Sequence, residues 1–120
     1  MAKSLLKFRS EAFRRQAGRC HYCRVLMWAK DPETFAKVHQ LSPRVMRALQ
    51  CTAEHLQARQ DGGEDTQENI VAACLRCNRQ RHQGWKKAPE PETYLQHVRR
   101  QLSRKVWHRA PVFERGLVRA

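Results

Sequence analysis

Apolar residues recur at helical spacing from the start of the chain. Leu5, Phe8 and Ala12, with Leu6, Phe13 and Ala17, stand three, four or seven positions apart, the period of one buried helix face. The pattern predicts a helix over roughly Ser4 to Ala17, stopped by Gly18 at the position a C′ glycine takes. Asp31-Pro32-Glu33 reads as an N-cap, a first helical residue and an acidic first turn, and Ser42-Pro43 repeats the cap-then-proline signal. Two short helices are therefore expected, about 32–40 and 43–50, with Phe35, Val38, Val45 and Leu49 facing inwards. Thr52 to Gln57 reads as a strand, Asp61-Gly62-Gly63 as a turn region, and Asn69 to Ala72 as the return strand. After a proline-broken linker from Lys86 to Pro91, Tyr94, Val98, Leu102 and Val106 recur every four residues. They predict a helix over about 92–109 that ends near Pro111, with Val112 to Ala120 as a frayed basic tail. No internal repeat or low-complexity tract is visible.

Charge adds a partner to this outline. At 120 residues the chain has the size of one small domain with extensions. Its formal net charge of +13 points to a polyanion, most simply nucleic acid, because a merely soluble surface needs no such excess. The charge is uneven: Cys51 to His82 holds four Arg or Lys and five Asp or Glu, and the remainder holds 20 and 6. A near-neutral centre containing carboxylates, with basic arms on both sides, suits a site that holds a cation and still approaches phosphates. The opening MAKSLLKFRS lacks the apolar core of a signal peptide, and no stretch reaches the ~20 apolar residues of a membrane span. A cytoplasmic location without a membrane partner is expected.

In that compartment, cysteines in C-x2-C pairs read as metal ligands before they read as disulfides. The pairs Cys20/Cys23 and Cys74/Cys77 match a closed tetrahedral Zn²⁺ site, which is structural rather than catalytic. A hairpin and one helix bury too little to hold themselves together, and zinc can add on the order of 10 kcal/mol of apparent folding free energy to such modules. The bland alternative is four ordinary buried cysteines. His21, inside the first pair, is a rival ligand, and the unpaired Cys51 reads as a small core residue.

Between residues 51 and 82 the chain presents, in order, Glu54-His55, Gly62-Gly63, Asn69-Ile70-Val71 and Cys74-Leu75-Arg76-Cys77-Asn78. With Cys20-His21-Tyr22-Cys23 upstream, this order resembles the HNH (His-Asn-His) nucleases, in which a β-hairpin and a following helix clamp one divalent metal ion. The resemblance implies an α+β fold with a small ββα-metal (His-Me finger) core, zinc knuckles and flanking N- and C-terminal helices. The nuclease domain would span 1–88, with its N-terminal helix, zinc knuckle, helical insert 31–50 and ββα core 51–84, and 89–120 would be a basic helix and tail.

The same resemblance assigns roles. Glu54, where the family often has Asp, would ligate the catalytic cation, and His55 would be the general base, a task suited to a group that titrates near neutral pH. Strand alternation sets the two on opposite faces unless the ladder is distorted. Asn69 matches the middle letter, which holds the base and the loop in place. Asn78 stands where the third letter is often His, and its carboxamide oxygen is a hard ligand suited to Mg²⁺ or Mn²⁺. His82, one helical turn on, would be a further ligand or a phosphate contact. The implied activity is hydrolysis of DNA phosphodiester bonds, with double-stranded DNA as partner. Arg76, Arg79 and Arg81 on the same predicted helix read equally as simple phosphate contacts or as something more specific. Trp28, Trp85 and Trp107 either stack on bases or, on the plainer reading, pack in the core. A zinc-stabilised DNA-binding module without cleavage is the alternative, although a mere binder has no need of Glu54, His55 and Asn78 together. An interaction platform within a larger nucleoprotein machine is a third class, marked by tight protein association.

Overall fold

The computed structural model describes residues 2–118. Helix α1, Lys3–Arg15, ends as read from the sequence: Ala17 and Gly18 take positive φ, and the Gly18 N–H returns to the Phe13 carbonyl. Helices α2 (Pro32–His39) and α3 (Pro43–Ala48) carry proline in their first turns. Asp31 accepts from the Thr34 N–H at 3.1 Å and Ser42 from the Val45 N–H at 3.4 Å, which satisfies donors that a helix start leaves free. Val45 and Leu49 are buried and Phe35 packs against the core, but Val38 is 66% exposed. That expectation fails: α2 rests on the core along Phe35 and Ala36, and Val38, one turn after Phe35, lines a surface cavity with Arg9, Phe13 and Phe35 instead.

Strand β1 (Cys51–His55) pairs antiparallel with β2 (Ile70–Cys74), Glu54 opposite Val71 and His55 opposite Ile70. The join is no tight hairpin. Residues 56–69 form a longer connection with a 3-10 turn at Arg59–Asp61 and Gly62 at φ 90°. Gly63 is required for a different reason, since a Cβ there would stand 1.7 Å from the Gln57 carbonyl oxygen.

Two strands are marginal alone, so the sheet depends on what covers it. Helix α1 packs on both strands, and α4 (Leu75–Gln83), which begins directly after β2, packs back on the same pair. The outer edge of β2 is closed by a side chain: Gln16 Nε2 donates to the Ala72 carbonyl at 2.8 Å and its Oε1 accepts the Ala72 N–H at 3.0 Å. The other edge meets Trp28, whose carbonyl accepts the Cys51 N–H.

The C-terminal part departs most from expectation. Helix α5, Pro91–Ser103, stops at 103 rather than near 109, because Lys105 and Trp107 adopt positive φ of 56° and 93°. Pro111 does not end a helix but lies in the first turn of α6, Ala110–Glu114, where its fixed φ is favourable. The expected frayed tail is packed instead: Val112 and Leu117 are buried, the Leu26 N–H donates to the Leu117 carbonyl at 2.9 Å, and Val118 bridges Val25. Positions 119 and 120 of that tail lie outside the described residues. Among the described residues no helix is long and apolar enough to cross a membrane.

Because Ala72 is fully buried, Gln16→Leu should leave its N–H without a partner and cost about 1–3 kcal/mol. Urea unfolding should show a lower midpoint with an unchanged slope, and an unmoved midpoint would show that the edge does not need the Gln16 amide.

Candidate active site and metal centre

The first C-x2-C lies on a tight turn in which the Cys20 N–H donates to the Val25 carbonyl and the Arg24 N–H to the Cys20 carbonyl, with Arg24 at φ 66°. The second straddles the start of α4, where Cys74 is the N-cap residue and its sulfur accepts the Cys77 N–H. All four Sγ atoms lie within 4.8 Å of one another and all four residues are buried. Cys23 Sγ and Cys74 Sγ are 3.8 Å apart, and a tetrahedron with Zn–S bonds near 2.3 Å requires about 3.8 Å between sulfurs. The donor set thus fits a metal ion such as zinc.

Burial pushes the thiols of Cys23, Cys74 and Cys77 above the ordinary range. Burial opposes ionisation of Cys20 too, but sulfur hydrogen bonds from its three neighbours outweigh it and bring that thiol well below the range. The four thiols are too crowded to ionise independently. A divalent cation relieves that conflict. His21 lies outside the tetrad, edge-on to Tyr22. Cys51, also outside it, is raised to about 11 by burial.

A cavity of about 370 Å³ opens beside β1, the 56–69 connection and α4, lined in part by Glu54, His55, Arg59, Asn78 and His82. Glu54 and His55 point to different sides, yet both reach this cavity because the ladder stops at His55 and the chain turns away there. Asn69 does not line it. Its side chain braces the connection, accepting the Gln57 N–H at 2.8 Å and donating to the Gln57 and Glu64 carbonyls at 3.1 and 2.9 Å.

Glu54 is 1% exposed, and an unpaired carboxylate at that depth would be prohibitive. Its Oε2 accepts from the Tyr22 hydroxyl at 3.1 Å and from Arg81 Nη1 at 3.3 Å, and its Oε1 lies 2.8 Å from His82 Nε2. Burial and then the Glu54 charge hold the Tyr22 phenol far above its usual range, so Tyr22 serves as a donor. Arg81 also donates to the carbonyls of His55, Leu56 and Pro89 at 2.8, 2.7 and 3.0 Å. It is therefore a buried countercharge and not the phosphate contact expected from sequence. Arg79 is exposed, and Arg76 lies over the Trp107 ring at 4.9 Å.

Asn78 uses both amide hydrogens, on Thr52 Oγ1 at 3.0 Å and on the Ala53 carbonyl at 3.3 Å. The residue lines the cavity, and its oxygen, which has no hydrogen bond among the described residues, is a hard donor that suits a cation such as Mg²⁺. His55 Nε2 lies 2.7 Å from Asp65 Oδ1, and Arg59 Nη2 spans both Asp65 oxygens at 3.2 and 3.1 Å. The hydrogen bond with His55 is the chief cause of a lowered Asp65 carboxyl.

Tyr22, Asp65 and Arg59 escaped the sequence reading as site residues, and Arg81 was read as a phosphate contact, not as a countercharge. Arg81 left a trace, since it stands three residues after Asn78 and shares its helix face. Nothing distinguished Asp65 from the other acidic residues of its loop.

This arrangement agrees with what comparison finds. The family model described as HNH endonuclease matches residues 41–84. The match runs from Leu41, just before α3, through β1, the connection and β2 to the end of α4, and it leaves out Cys20, Cys23 and the chain from Trp85 on. The architecture is the small α+β ββα core expected, with a four-cysteine cluster beside it. No curated protein and no solved structure matches the chain.

Removing Arg81 while Glu54 remains would strand a buried charge. Arg81→Ala should lower stability by about 3–5 kcal/mol, measured by urea unfolding of the metal-loaded protein. A small loss would show that Tyr22 and His82 suffice to hold the carboxylate.

Proposed function

We propose that this chain is a metal-dependent HNH endonuclease that hydrolyses DNA phosphodiester bonds, with His55 as general base and structural zinc on Cys20, Cys23, Cys74 and Cys77. The observation that carries this reading is the sharing of one cleft by Glu54, His55, Asn78 and His82. A catalytic Mg²⁺ or Mn²⁺ would be held by Glu54 and Asn78, with His82, and would supply neutralisation of the charge that develops on the phosphate oxygens. His82 Nε2 and Glu54 Oε1, in direct contact, would part to admit it.

His55 takes the proton from the attacking water. Two groups compete for its Nε2, the Asp65 carboxylate at 2.7 Å and Arg59 Nε at 3.2 Å. The shorter, charge-assisted contact favours a proton on Nε2, which leaves Nδ1 as the accepting nitrogen. Arg59, with its side chain 62% exposed at the mouth of the cleft, is suited to meet a phosphate. Asn69 fixes the connection that carries Asp65 and Arg59. The basic residues of α1 and α5 grip the nucleic-acid backbone, so affinity falls steeply with salt.

One observation favours the non-cleaving DNA-binding module: Arg81 and His82 already engage both oxygens of Glu54. A plasmid assay separates the two. Supercoiled DNA with Mg²⁺ or Mn²⁺ should become nicked or linear, EDTA should stop the reaction, and His55→Ala should slow it by at least ~100-fold. DNA that is shifted but uncut across metals and salts would replace the nuclease with the binder, and DNA neither shifted nor cut would refute both.

A further inference from the structure

Among the described residues each sulfur of the tetrad has a nitrogen within hydrogen-bond distance, and these partners come from two sources. Cys20 Sγ accepts the backbone N–H of Cys74 at 3.3 Å, and Cys74 Sγ that of Cys77 at 3.4 Å. The other two sulfurs are met by side chains from the loop between α5 and α6: Trp107 Nε1 lies 3.3 Å from Cys77 Sγ, and His108 Nε2 lies 3.3 Å from Cys23 Sγ. Four thiolates around one divalent cation leave a net charge of −2, and N–H donors aimed at the sulfurs are what disperse it in a buried site. A metal-bound thiolate can only accept, so His108 must donate from Nε2.

The loop is built to hold this pose. Trp107 and Lys105 adopt left-handed backbone conformations unfavourable for residues other than glycine, and such strain persists only where the surroundings impose it. Arg76, between Cys74 and Cys77, stacks on the Trp107 ring at 4.9 Å, and the Tyr94 hydroxyl donates to the Cys77 carbonyl at 2.6 Å. On the far side of the loop, α6 and the packed tail return the chain to the first knuckle through the bridge between Val25 and Val118.

We propose that Trp107 and His108 complete the metal centre as N–H donors to Cys77 and Cys23, so that the C-terminal segment, outside the family match, is a clasp that sets how tightly zinc is retained. The inference rests on zinc occupying the tetrad. It does not depend on the cleavage reaction.

The test uses the full-length, zinc-loaded chain and competition with a chromogenic chelator. Trp107→Phe and His108→Ala should each weaken zinc binding by about 10–100-fold, and His108→Gln, which retains an N–H, should recover part of the loss. In the Co²⁺-substituted proteins the sulfur-to-metal charge-transfer band should move to longer wavelength in the first two variants, a shift that a role in packing alone would not produce. Should either variant fail to fold, ¹¹³Cd-substituted wild type provides the readout, with coupling expected between the metal and the Trp107 indole and His108 imidazole protons. Unchanged retention with an unmoved band, or absence of both couplings, would overturn the clasp while leaving the zinc site standing. Wild-type protein without bound zinc on elemental analysis would overturn both.

Discussion

Convergence of four sulfurs on one point is the constraint from which the rest of the structure follows. Cys23 and Cys74 are 51 positions apart in sequence and 3.8 Å apart in space, so a metal ion there closes the chain around the two-helix insert and the hairpin. The hairpin needs that closure. A two-stranded sheet has little to bury, and here one strand begins at Cys51 while the other ends at Cys74. The second knuckle lies where β2 becomes α4, so fixing Cys74 and Cys77 also fixes the angle at which the helix folds back over the strands. That angle brings Asn78, Arg81 and His82 to Glu54.

The second constraint is electrostatic and depends on the first. A carboxylate placed almost wholly out of water survives only with compensation, which Arg81, Tyr22 and His82 provide from two directions, the helix and the first knuckle. Tyr22 sits between Cys20 and Cys23 in the sequence, so the residues that hold the metal also position a donor to Glu54. The metal centre and the cleft are therefore neighbours through one side chain, although the tetrad itself is closed and leaves no sulfur for chemistry.

Much of this was legible in the residues because the signals are local. A cap followed by proline located both helices of the insert, a glycine after an apolar run located the end of α1, and the sequence singled out Glu54, His55, Asn78 and His82, which line one cavity beside β1. Side chains that act across long sequence separations left no local sign of their partners. Gln16 closes a strand edge 56 positions away, and Arg81 clamps Glu54 from 27 positions away. The C-terminal segment misled for a definite reason: spacing at every fourth residue from Tyr94 to Val106 is helical, but contacts to the knuckles override local propensity after Ser103 and turn Trp107 and His108 inwards. A basic tail reads as solvated, and nothing in its composition reveals that Leu117 and Val118 pair with Leu26 and Val25 beside the first knuckle or that Val112 is buried.

The central claim is that the thiolate-bound metal, and not the apolar core alone, holds the hairpin and α4 in register. Anaerobic withdrawal of the metal by a chelator, followed by amide NMR dispersion and thermal unfolding, tests it most directly. The account predicts collapse of dispersion through β1, β2 and α4 together and loss of a cooperative transition, both restored when zinc is returned. A metal-free chain that keeps a dispersed spectrum and unfolds cooperatively would contradict it.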